Sequence, residues 1–261
     1  MAREVTDFNG IIIYRQDYRE RDLLVKMLTD KIGPAMFFVK GAKKHGFRLA
    51  ADILPFTHGS YIGSLADDGL SFINVASETH QYRNIVADIS KNAYATYILS
   101  LVDHAFPDGR SIGSWFGQVA AALERIDQGV DEQVVANVIE IQLLVMFGVA
   151  PNWDRCVVCG QNQGPLDFSE ESGGMLCSQH WYLDPHRMHL DRRTIYFLQR
   201  LAHANLQKVR KISINPVTKR RIQAIIDTIY SDQVGLKLKS KHFIDEMHRW
   251  EQKMGNLSSK D

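Results

Sequence analysis

The first eighty residues alternate on a short period. Residues 11–14 (Ile-Ile-Ile-Tyr) are apolar and β-branched, as strands favour. Residues 22–28 follow with Leu23, Leu24, Val25, Met27 and Leu28. Gly33-Pro34 reads as a turn, residues 36–39 as a third strand, and Gly41 as its end. A longer pattern over 53–65 carries Leu54, Phe56, Tyr61, Ile62 and Leu65. Asp67-Asp68-Gly69 has hairpin chemistry, and residues 70–75 make a fifth strand. Five short strands with Gly-containing turns predict a small closed barrel.

Near Glu78 the period lengthens. Ile85, Ile89, Tyr94, Ile98, Leu101 and Val102 recur at helical spacing over 81–106, and Pro107-Asp108-Gly109 stops that helix. Ser111 is positioned to cap a second helix through Trp115, Phe116, Val119, Leu123 and Ile126. Asp131 precedes a third, with Val134, Val135, Val138, Ile141 and Val145 on one face and Gly148 as its stop. Further helices are expected over 194–206, from Pro216 to Tyr230, and from a Ser240 cap through Trp250. The polar residues 255–261 read as a flexible tail. The fold class is therefore α+β, a β-barrel followed by mainly helical chain.

Composition adds little to this. The 261 residues are 45% hydrophobic with net charge +1, ordinary for a soluble protein. No run approaches the ~20 apolar residues of a membrane helix, and residues 1–6 lack a secretory leader's apolar core. The distribution of charge is more informative. Residues 31–51 hold Lys31, Lys40, Lys43, Lys44 and Arg48 with no acid. Residues 187–221 hold ten bases, Arg192, Arg193, Arg200 and Arg210 among them, against Asp191 alone. Residues 81–150 carry eight acids against four bases. Such asymmetry suits a surface that meets phosphates or an acidic peptide, and equally suits solvated helix faces.

All three cysteines lie in one stretch, Cys156-Val-Val-Cys159-Gly160 through Cys177-Ser-Gln-His180. The spacing C-x2-C-x17-C-x2-H presents three thiolates and an imidazole to one tetrahedral ion, with glycines at the turns. His180 has the spacing of a fourth ligand; Asp184, His186 and His189 lie close behind it. Paired knuckles favour a structural zinc over a catalytic one, since no H-E-x-x-H or H-x-E is present. An odd cysteine count without a leader predicts a reducing cytosol.

No GxSxG, Walker loop or GxGxxG is present. A binding role stands in place of catalysis. A barrel with basic loops offers cations for a nucleic-acid backbone and aromatic faces for its bases. Lys40, Lys43, Lys44 and Arg48 supply the first, with Arg19 and Arg21 diluted by neighbouring acids. Phe37, Phe38, Phe47 and Phe56 are candidates for the second, some of them necessarily core. A zinc-dependent nucleic-acid hydrolase or deaminase on the cysteine cluster is the alternative of another class, with Glu170 and Glu171 its nearby glutamates.

Several stretches taken together resemble the RecO family of bacterial DNA-repair and recombination mediators. They are Tyr18-Arg-Glu-Arg-Asp-Leu-Leu24, Thr29-Asp-Lys-Ile-Gly33, Val39-Lys-Gly-Ala-Lys-Lys44, Glu140-Ile-Gln-Leu-Leu144 before Gly148, Cys156-Val-Val-Cys159-Gly160 and Gly173-Gly-Met-Leu-Cys177. The resemblance extends to about Trp250. It implies an OB-fold DNA-binding domain over 1–80 and a helical domain over 81–254 with an inserted zinc module at about 151–187. Family members commonly have a fourth Cys where this chain has His180. The resemblance also implies a non-enzymatic mediator in the cytoplasm, associated with the nucleoid. It implies binding of single- and double-stranded DNA, annealing of complementary strands, and loading of recombinase onto DNA coated with single-strand-binding protein. The implied partners are RecR and the acidic C-terminal tail of that coating protein. Such a tail needs an apolar pocket rimmed by cations, and Arg192, Arg193 and Arg200 are the expected rim.

Overall fold

The computed structural model describes residues 5–66, 68–209 and 211–258, without the side chains of 252 and 255–258. Asp67 of the expected turn, Arg210 of the basic segment and residues 259–261 of the expected tail lie outside the described residues. The chain packs as two compact units, Met1–Glu132 with Leu238–Asp261, and Gln133–Lys237.

In the first unit, β1 (Val5–Tyr18), β2 (Asp22–Thr29), β3 (Gly33–Val39), β4 (Thr57–Ser64) and β5 (Leu70–Gln81) close a barrel in the order β1-β2-β3-β5-β4. This is the OB-fold arrangement. Strand β1 is long because it serves two neighbours. Its first half pairs with β4 and its second with β2, around an irregularity between Ile12 and Tyr14. The bend needs Gly10, where a Cβ would lie 2.3 Å from Met27 Sδ. Barrel closure is the parallel pairing of β3 with β5, Phe38 beside Phe72. Inside, Phe8 stacks between Phe37 (5.6 Å) and Tyr61 (5.9 Å), with Ile12, Val25 and Met27 fully buried around them.

Three local expectations change here. Gly33 and Pro34 open β3 rather than turn, because Gly33 pairs with Thr29 and the turn is Asp30-Lys31-Ile32. Ile53 and Leu54 lie in the β3–β4 connection, where Leu49 and Ile53 plug the barrel core. Strand β5 continues to Gln81, its outer positions polar and thus outside the apolar run.

The expected helix over 81–106 is two helices. α1 (Arg83–Ala87) ends at Asp88, whose extended backbone (ψ 124°) breaks the chain and whose carboxylate caps α2 (Ile89–Ala105) by accepting from Lys91 N. α3 (Trp115–Asp127) starts three residues beyond the position that a Ser111 cap requires; Ser111 instead accepts from Gly113 N. α7 (Lys239–Ser258) returns to pack on α2, with Tyr94 Oη 3.1 Å from His248 Nε2. Ser240 lies within α7, and the helix runs on past Trp250 to Ser258.

The second unit begins with α4, which starts at Glu132 beside Asp131 and ends at Leu143 (Glu132–Leu143). Val145 therefore falls beyond the helix face assigned to it and is exposed. A three-stranded sheet follows in the order β6-β8-β7, from β6 (Asn152–Cys156), β7 (Leu166–Ser169) and β8 (Gly174–Cys177). Trp153 stacks on Phe168 at 5.1 Å to form its small core. α5 (Arg192–Ala202) is capped by Asp191, and α6 (Pro216–Ile229) by Asn215 with Pro216 in its first turn. Helix α5 is shorter than expected, and Leu206 is buried in the turn that follows. No helix among the described residues is long and apolar enough to cross a membrane.

Candidate metal centre and nucleic-acid face

The sheet of the second unit places the cysteine knuckles. β6 ends on Cys156 and β8 on Cys177, and the two strands run parallel with Cys156 beside Met175. Beyond β6 the chain folds back through Gly160 N→Cys156 O (2.9 Å), with Gly160 at φ +74°. Beyond β8 a second turn closes by His180 N→Cys177 O (2.8 Å). These turns bring one ligand atom each from Cys156, Cys159, Cys177 and His180 within 4.8 Å of one another.

The group fits a tetrahedral ion. A metal–sulfur bond of ~2.3 Å sets an edge of about 3.8 Å between ligands. The Cys159–Cys177 sulfurs are 3.8 Å apart, and His180 Nδ1 lies 3.2 Å from Cys177 Sγ and 3.6 Å from Cys156 Sγ. Burial opposes ionisation of Cys156, but the Cys159, Cys177 and Val158 backbones aim at its sulfur and bring its thiol down to about 6. Among the neighbouring alternative ligands, Asp184 is engaged as an acceptor for Ser169 Oγ (2.7 Å) and His186 N (2.8 Å). The four-residue cluster can hold a metal ion through protein ligands alone.

In the barrel, two turns that are far apart in sequence meet. Lys43 N donates to Arg21 O (3.1 Å), and Gly41 N to Asp22 Oδ1 (2.7 Å). The β1–β2 turn with Arg19 and Arg21 thus lies against the turn with Lys40, Lys43 and Lys44, all five side chains exposed. Lys43 Nζ pairs with Asp17 at 2.6 Å. Arg48, the remaining expected cation, donates to Asn74 O at 3.2 Å.

Beside the cations sits an aromatic group. Strand alternation sends Phe37 into the core and Phe38 outward. Phe38 meets Tyr18 edge-on at 5.9 Å and Phe72 at 6.0 Å, and Arg19 lies over the Tyr18 ring at 5.1 Å. All three rings are half-buried. Of the aromatic candidates, Phe37 and Phe56 are core, Phe47 packs against that core, and Phe38 faces outward. Tyr18 and Phe72 are not among the aromatic candidates read from the sequence, because only barrel closure brings their rings, from β1 and β5, to Phe38 of β3.

A third feature lies in the second unit. A cavity of about 770 Å³ opens between the metal module and α5, lined by Leu166, Trp181, Arg187, Arg192, Ile195 and Tyr196 among others. Arg187 spans the Trp181 ring (4.6 Å) and the buried Asp167 carboxylate (3.0 Å). Of the three expected rim residues only Arg192 lines this cavity. Arg193 and Arg200 lie over Phe197 and Tyr196, each at 5.9 Å. Arg187 and Trp181 sit closer to it than either, in a loop that helical spacing could not reveal.

Comparison with known proteins adds the lineage. The family described as "Recombination protein O N terminal" matches residues 1–82, and "Recombination protein O C terminal" matches 86–242. A "DNA repair protein RecO" of Limosilactobacillus reuteri (strain DSM 20016) is 69% identical over 261 residues, all of both chains. Proteins of the same name from Limosilactobacillus fermentum and Levilactobacillus brevis are 58% and 52% identical, each over 96% of this chain and covering 92% and 96% of theirs.

Proposed function

The chain belongs to the RecO family of DNA repair proteins, and on that footing we propose that it is a non-enzymatic mediator of strand pairing. It binds single- and double-stranded DNA, anneals complementary strands, and helps load recombinase onto DNA coated with single-strand-binding protein. The observation that carries this reading is the outward group of Tyr18, Phe38 and Phe72 beside the Arg19, Arg21, Lys40 and Lys44 cations. Bases stack on aromatic faces at ~1–3 kcal/mol each whatever their identity, while cations track the phosphates. A sequence-tolerant surface of that kind suits annealing, where either complementary strand must be accepted.

Zinc is the metal that three thiolates and an imidazole select in tetrahedral geometry. Its role here is structural. It ties the ends of β6 and β8 to the His180 turn, next to Trp181 at the cavity.

RecR and the acidic tail of single-strand-binding protein are the proposed partners. For the tail, the cavity beside α5 supplies an apolar floor in Leu166, Ile195 and Tyr196, with Arg192 and Arg187 at hand for carboxylates. The test of the whole reading is annealing of complementary oligonucleotides coated with single-strand-binding protein, without ATP. Acceleration by this protein supports it; annealing no faster than without the protein refutes it.

A further inference from the structure

Helix α7 buries one face in its own unit. Ile244 is 2% exposed, and His248 meets Tyr94 of α2. A second apolar line runs along the helix beside that face: Phe243, Met247, Trp250 and Met254. At 100° per residue these four fall within an arc of about 60°. Phe243, Trp250 and Met254 are 46%, 68% and 61% exposed. Scattered single apolar residues are normal on a surface, but an aligned row of this size marks an interaction site.

The separations are four, three and four residues, the spacing of core positions in a two-helix coiled coil. With Met247 and Met254 as a positions and Phe243 and Trp250 as d, the flanking positions identify the occupant. Ile244 and Glu251 fall at e, on the side that faces α2. Glu246 and Lys253 fall at g, on the open side. In an antiparallel pair g faces g, so Glu246 meets the partner's Lys253, and symmetry makes that pair twice. In a parallel pair Glu246 would face the partner's Glu251, a like-charge contact. The row is thus self-complementary in one orientation only.

We propose that α7 is a homodimerisation surface. Two copies pair this helix antiparallel through Phe243, Met247, Trp250 and Met254, with Glu246 and Lys253 setting the orientation. Two heptads bury an area at the small end of specific interfaces, so the dimer is concentration-dependent.

Sedimentation velocity of the full chain across the micromolar range tests this. The expected result is a rise from monomer to dimer mass with concentration, abolished by Trp250→Glu with the circular dichroism spectrum unchanged. Glu246→Lys and Lys253→Glu should each weaken association about tenfold, because each turns two attractive contacts into two repulsive ones. The double variant Glu246→Lys/Lys253→Glu should associate like the unaltered chain. A monomer at all concentrations, or a dimer indifferent to Trp250→Glu, overturns the proposal. Failure of the double variant to recover association overturns the antiparallel register.

Discussion

Lys26 Nζ lies 2.6 Å from Asp108 Oδ1, although Lys26 belongs to barrel strand β2 and is only 5% exposed. Asp103 Oδ1 of α2 stands 3.0 Å from the same nitrogen. Burial alone would lower the lysine's pKa, but the hydrogen bond to Asp108 and the Asp103 charge outweigh it and hold it above its usual value. The pair ties the barrel wall to the helix that follows it. Lys26→Met should destabilise the first unit by about 3 kcal/mol, because Asp103 keeps its burial and loses its counter-ion. Urea unfolding at pH 7 reads this directly, and a midpoint equal to that of the unaltered chain would count against it. A raised lysine pKa stabilises below about pH 10.4 and loses that contribution as pH rises through the folded value.

Acid should act on a different pair. Burial first, and the His80 charge second, push His58 down to about 4, while Asp30 pulls weakly the other way. Its Nδ1 lies 3.1 Å from Tyr82 Oη, and its ring meets Phe116 of α3 at 5.8 Å. The unfolded chain takes up this proton near pH 6.5 and the folded one only near 4. Stability is therefore complete above about 6.5 and falls as pH drops from there toward 4. The loss is on the order of 2 kcal/mol, reduced from the full shift because the ring is only partly shielded from water. His58→Asn should flatten that slope, measured as urea midpoints at pH 7 and 4.5.

Purified protein should contain one zinc per chain. Cys156→Ser and Cys177→Ser should each release it and loosen the β6-β8-β7 sheet first, because a structural metal commonly contributes several kcal/mol to the fold around it. Metal analysis with hydrogen exchange over residues 151–187 checks both parts. Protein that is free of metal yet fully protected there would refute the assignment.

DNA affinity should fall steeply with salt and hardly vary with sequence. Each lost phosphate contact on single strands lowers the log–log salt slope by roughly 0.7. Changing Lys40, Lys43 and Lys44 together to Ala should reduce it by about one and a half to two, the smaller figure if Lys43 stays with Asp17. Phe38→Ala should instead weaken binding without changing the slope, since stacking releases no counter-ion. Equal slopes for the triple variant and the unaltered chain would move the contacts elsewhere.

A labelled acidic peptide ending in an apolar residue should bind the cavity beside α5. Arg192→Ala should cost at least tenfold in affinity, with Arg193→Ala and Arg200→Ala weaker in effect because neither of these two residues lines the cavity. If Arg192→Ala binds the peptide normally but loses DNA, the surface serves phosphate instead.

The amino-acid order alone determined the features that rest on local spacing. Five strands with turns, the helical remainder and the C-x2-C-x17-C-x2-H group are all legible, because side-chain period and ligand spacing are properties of a few consecutive residues. Tertiary structure decided the rest. Lys26 reads as one more solvated cation in β2 until the fold carries Asp103 and Asp108 to it from about eighty residues away. Phe72 becomes part of an aromatic group only because parallel pairing of β3 and β5 sets it beside Phe38. Arg192 separates from Arg193 and Arg200 only once α5 is rotated against the metal module. Contacts between distant segments depend on how strands close and helices turn, and no local period encodes that.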